Sequence, residues 1–73
     1  MNRISPKKLL LSKWTAVKPV QKDKHFLVSK VRQPELPGEI IQWIEIEAVY
    51  SKEVRLIDWH DLRNQGVWRQ GWV

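Results

Sequence analysis

The chain has 73 residues, no cysteine and a formal net charge of +5. That length allows a single small domain, read here over residues 1–73, with a thin core. Without thiols there is no disulfide framework and no cysteine-rich zinc site, so packing must hold the fold together, with five tryptophans as its main material.

The charge is uneven. Residues 1–32 hold nine Lys or Arg against one acid, a balance of +8; residues 33–73 hold four against seven, a balance of −3. A polarised surface follows, with a basic side suited to an anionic partner. The apolar run Leu9-Leu10-Leu11 is far too short for a secretory signal, and Lys13 follows at once. Nothing approaches membrane-spanning length. The expected address is the cytoplasm, with no membrane partner.

In chain order, Ser5-Pro6 reads as a helix N-cap followed by proline at the first helical position, opening a short helix or loose arm over residues 1–12. Lys7 and Lys8 in its first turn oppose the helix dipole. Residues 13–18 form a first strand that Pro19 ends or marks as an edge. Gln21-Lys22-Asp23-Lys24 reads as a polar loop. Residues 25–31 form a second strand whose apolar side chains fall on both parities, as in a curled or partly covered sheet. Leu36-Pro37-Gly38-Glu39 places proline and glycine in the two central positions of a type II turn.

Residues 40–59 are the densest β-branched and aromatic stretch and read as a hairpin. Ile44, Ile46, Ala48 and Tyr50 alternate with polar residues at period two, which fits a strand and defeats a helical template. With Ser51 and Lys52 at the tip, Ile46 faces Ile57, but Glu45 faces Asp58. Shifting by one pairs Ala48 with Leu56, but sets Ile46 against Asp58. A bulge near Leu56 and Ile57 would reconcile the two registers. Asp58 then caps a helical or 3-10 turn over residues 58–63, and Asn64-Gln65-Gly66 ends it. Residues 67–73 close the chain as a last strand or packed tail, in which Trp68 and Trp72 share a face. The expected fold is mainly β: a small antiparallel curled sheet or SH3-like barrel of four to five strands, with a short helical turn before the last. Fold of this kind carries no function with it.

The segments LLLSKWTAV, KHFLV, WIEIEAV, DWHDL and WRQGW together resemble a family of short tryptophan-rich bacterial proteins of unknown function. The resemblance runs over nearly the whole chain and takes in all five tryptophans. It implies a self-contained small protein, with the loop at residues 32–39 the least family-like part. It carries over no catalytic or binding residue.

Function must therefore be read from the residues. No serine or lysine has a recognisable activating partner, no glycine-rich phosphate loop exists, and Asp58, His60 and Asp61 lack a further ligand at metal spacing, so neither enzyme nor cofactor is expected. Two binding readings stand. In the first, Lys13, Trp14, Lys18, Lys24, Phe26, Lys30 and Arg32 form a polyanion site for RNA or single-stranded DNA. Lys24, Lys30 and Arg32 share strand parity with Phe26 and Val28, and aromatic-among-basic faces are used by single-strand binders. Its mark is binding that weakens steeply with salt. In the second, a partly exposed tryptophan anchors a protein partner. Trp43, on the polar parity of its strand with Glu45 and Glu47, is that candidate; it serves equally well as a lid under an arginine stem. Trp59 and Trp68 or Trp72 are expected in the core, with Trp14 and Trp43 the candidates for exposure.

Overall fold

A computed structural model describes residues 1–20 and 22–73. Its five strands are β1 (Lys13–Val20), β2 (Asp23–Val31), β3 (Trp43–Ala48), β4 (Val54–Asp58) and β5 (Trp68–Gln70). They form one antiparallel sheet in the order β4-β3-β2-β1-β5. A 3-10 turn, Trp59–Arg63, precedes the last strand as the sequence predicts. No pairing joins β4 to β5 among the described residues, so the sheet is curled and open rather than a closed barrel.

Alternation decides which face is buried. Ile44, Ile46 and Ala48 of β3 point inward beside Phe26 and Val28 of β2 and Trp14 of β1. Trp59 and Leu62 of the 3-10 turn, Trp68 of β5 and Leu9 of the N-terminal arm cover them. Three indoles are thus core, and the phenyl ring of Phe26 meets Trp68 edge-on at 5.2 Å between centroids, a favoured aromatic geometry.

The hairpin takes neither expected register and needs no bulge. Ile44 faces Ile57, Glu45 faces Leu56, Ile46 faces Arg55, Glu47 faces Val54, and Trp43 faces Asp58. This register sets neither a glutamate nor Ile46 opposite Asp58, the faults of the two alternatives. Placing Arg55 opposite Ile46 is tolerable because the guanidinium folds onto Phe26, 5.0 Å from the ring centroid. The loop is four residues, 49–52, with Lys52 at φ 68 and its N–H donating to Ala48 O at 2.9 Å.

The irregularity lies one strand over. Val28 faces Ile46 but Lys30 faces Glu45, so Ser29 is the extra residue of a bulge in β2. Val31 thereby regains the inner face opposite Ile44, which explains apolar residues on both parities of this strand.

Other elements differ in detail. The N-terminal helix is a single 3-10 turn, Pro6–Lys8; Ser5 makes no side-chain cap bond, and the turn holds two lysines and no acid to favour its dipole. Strand β1 runs through Pro19, which lies beyond the Trp14–Ala16 stretch that β5 pairs with, so its missing N–H costs no bond there. Strand β2 begins at Asp23, inside the expected polar loop, whose Gln21 lies outside the described residues. Gly38 at φ 87 and the Glu39 N–H to Leu36 O bond of 3.3 Å form the anticipated turn.

Candidate interaction surface

The expected polyanion site comes apart on packing. Trp14 and Phe26 are each only 1% exposed, so neither offers a ring to a base. The Trp14 indole N–H is spent on Ser12 Oγ at 2.8 Å. The shared face of Lys24, Lys30 and Arg32 with Phe26 and Val28 does not exist, because the Ser29 bulge reverses parity between Val28 and Lys30. Lys30 and Arg32 instead meet β3: Lys30 lies opposite Glu45, and Arg32 Nε sits 3.0 Å from Glu45 Oε2. Lys13 holds its ammonium 4.9 Å from the Trp72 ring centroid. Lys18 borders a recess of about 160 Å³ with Asp23 and Arg55 over the Phe26–Trp68 pair, and Lys24 is exposed near the start of β2.

The outer face of β3 and β4 does gather apolar groups. Trp43 is 45% exposed, Val54 48% and Leu56 51%. Their parity is opposite to that of Ile44, Ile46, Arg55 and Ile57, so all three leave the sheet on the same side. Trp43 pairs with Asp58, which makes Leu56 its diagonal neighbour, a separation within reach of an indole. Val54 follows one step along, opposite Glu47. Among the described residues no arginine stacks on Trp43: Arg55 lies over Phe26 and Arg63 over Trp59, the latter at 4.8 Å, and Arg32 pairs with Glu45.

Val54 and Leu56 were not singled out from sequence because either expected hairpin register gave them different neighbours. Their alternation with Arg55 and Ile57 was the available signal. Trp72 was misplaced for a different reason. Gly71, at φ 80, breaks the parity that would have put Trp72 beside Trp68. The tail folds instead over the outer face of β1 and β2: the Trp72 indole donates to Phe26 O at 2.9 Å, and Thr15 Oγ1 donates to Gly71 O at 2.7 Å. Thr15 is buried by this cover, and Trp72 stays partly exposed.

The outer face carries carboxylates as well as apolar groups. Glu45, Glu47 and Asp58 leave the sheet on that side, and Glu45 is met there by Lys30 opposite it and by Arg32 Nε at 3.0 Å. Asp58 is held below the usual carboxylate range, first by the backbone N–H of His60 and then by bonds from the His60 and Gln42 side chains. Its Oδ1 accepts from His60 N at 2.9 Å, the cap expected from sequence, and lies 2.7 Å from His60 Nδ1. No helix among the described residues is long and apolar enough to cross a membrane.

Fold and surface together define a small, mainly antiparallel β domain whose exposed aromatic and aliphatic side chains are consistent with a binding surface. Residues 12–73 match the model of the family described as Tryptophan-rich protein (DUF2389), and the chain belongs to that family. No curated protein and no solved structure matches it.

Proposed function

We propose that the chain is a non-catalytic protein-interaction module that meets its partner through the outer face of β3 and β4, with Trp43 as the anchor. The observation that supports this is the grouping of Trp43, Leu56 and Val54, all about half exposed, on one side of one hairpin. A large indole flanked by aliphatic side chains is the kind of group that dominates binding energy at protein interfaces. The core does not need it, since Trp14, Trp59 and Trp68 already fill the inner face. The nucleic-acid reading keeps its charge asymmetry but loses both aromatic members, Trp14 and Phe26, to the core.

The test is isolation of a tagged chain at low salt, followed by assay of the co-purifying material for protein and for nucleic acid. A discrete protein that is retained at raised salt and lost with Trp43→Ala, at unchanged melting temperature, is the expected result. Recovery of nucleic acid that falls steeply with salt, and is indifferent to Trp43→Ala, would overturn the proposal in favour of phosphate contacts.

A further inference from the structure

The outer face ends in an open strand edge. Ala48 N–H donates to Glu53 O and Trp59 N–H to Gln42 O, both at 2.9–3.0 Å, so the residues of β4 that bond to β3 are the odd-numbered ones. The N–H and C=O groups of Val54, Leu56 and Asp58 therefore point away from the sheet, and β4 is its terminal strand. Unsatisfied edges of this sort pair readily with another extended chain unless something blocks them. The same residues, Val54 and Leu56, carry the exposed aliphatic side chains beside Trp43. Edge and platform are one continuous surface.

The opposite edge is blocked. Asn2 Nδ2 donates to Trp68 O at 2.7 Å, on the side of β5 that faces away from β1, and Gln70 Nε2 donates to Arg3 O at 2.7 Å. Among the described residues, only the β4 edge is left for a strand.

Resting on the interaction reading above, we infer that β4 accepts an extended partner segment in which apolar and cationic residues alternate. Charge complementarity selects the occupant. Glu47 makes no ion pair among the described residues, and it leaves the sheet with Asp58 on the same side as Val54 and Leu56. An added strand places alternate side chains on the outer face, so the cationic ones lay their stems against Val54, Leu56 and Trp43 and reach Glu47 and Asp58, while the apolar ones turn to the side of Ile57. A second copy of the chain fits poorly. Antiparallel self-pairing about Leu56 sets Asp58 against Val54, whose neighbour across the hairpin is Glu47, and so brings carboxylates of the two copies together over an edge of only five residues.

The experiment uses the full chain, isotope-labelled, and three blocked hexapeptides: alternating lysine and valine, alternating glutamate and valine, and the lysine peptide N-methylated at every second residue. Saturable shifts centred on the Val54, Leu56 and Asp58 amides are expected with the lysine peptide. Binding falls about tenfold or more with the N-methylated peptide, which cannot complete the ladder, and with the glutamate peptide. Leu56→Pro removes one outward donor while sparing the β3 ladder, and should weaken the lysine peptide to a similar degree. If this variant does not fold, the N-methylated peptide on the unaltered chain decides the matter alone. Equal binding of the methylated and unmethylated peptides, or shifts confined to other strands, would overturn the inference. Shifts at β4 that grow with protein concentration in the absence of peptide would overturn it in favour of self-association. Should these failures occur while Trp43→Ala still abolishes partner capture, the platform survives and strand addition does not; if Trp43→Ala is also silent, both fall.

Discussion

At one end of the sheet, β5 is three residues long and is sealed by the N-terminal arm. At the other, β4 is five residues long and, among the described residues, pairs only with β3. The sealed end is structural throughout. Trp68 is buried against Phe26, the Asn2 side chain reaches both Leu62 O and Trp68 O at 2.8 and 2.7 Å, and Leu9 fills the core beneath. The open end is more exposed: Arg55 shields Phe26 in place of an apolar residue, and Trp43, Leu56 and Val54 face solvent. The same residue type, tryptophan, is thus used for two purposes. Aromatic content by itself does not separate buried from exposed rings; the face of the sheet on which each tryptophan lies does.

The sharpest way to break this contrast is to truncate one tryptophan from each end. Trp68→Ala removes a buried ring with an edge-on partner and leaves a cavity, which should cost about 3–5 kcal/mol. Against the stability typical of a small domain, that is enough to unfold much of the population. Trp43→Ala removes a half-exposed ring that nothing in the core rests on, and its stability cost should stay under about 1 kcal/mol. Urea denaturation of both variants measures the difference. Equal costs would mean that Trp43 is a packing residue after all.

A smaller effect tests the seal itself. Asn2→Ala deletes two hydrogen bonds to backbone carbonyls and should destabilise by about 1–2 kcal/mol. Its more specific signature is local. Once the arm loosens, the backbone amide at position 2, which donates to Arg63 O, should exchange with solvent faster, while those of β2 and β3 stay protected. Exchange that rises uniformly across the sheet would show that the arm supports the whole core rather than guarding one edge.

How much of this contrast was readable in the residues follows from what each element depends on. The sealed end was only partly legible. The Asp58 cap and the 3-10 turn rest on local chemistry, namely a carboxylate two residues from the N–H it accepts from, and so they show in sequence. The arm over β5 rests on contacts between residues more than sixty positions apart, such as Asn2 with Trp68, and no local pattern announces them. At the open end, alternation of Ile44, Ile46 and Ala48 with Glu45 and Glu47 revealed the buried face of β3. The pairing of β4 was hidden because Val54, Arg55, Leu56 and Ile57 are apolar or long-stemmed on both parities. Only the placement of Arg55 over Phe26 made a polar residue acceptable on the inner side. The shared face expected of Lys24, Lys30 and Arg32 was misleading for a similar reason: a bulge at Ser29 turns Lys30 to the face opposite Phe26, and bulges leave little trace in sequence.

Asp58 joins the two ends, closing β4 and capping the turn that leads back to β5. Its carboxylate is held below the usual range, chiefly by the His60 backbone N–H, so the ionised form is favoured in the folded state. A group whose folded pKa is depressed contributes stability that is fully present above its unfolded value of about 3.9 and is lost as pH falls through the folded value. Asp58→Asn keeps a capping oxygen, since asparagine and aspartate cap comparably, but removes the titration. Near neutral pH the variant should therefore lose less than about 1 kcal/mol, because the carboxylate is partly exposed and solvent screens it. Below pH ~4 the gap between the two proteins should close, as the native carboxylate protonates and its advantage disappears. Thermal melts of both proteins across that window measure the effect. A gap that persists unchanged into acid would mean that the cap works through geometry alone and that its charge contributes nothing to the joint between the open and sealed edges.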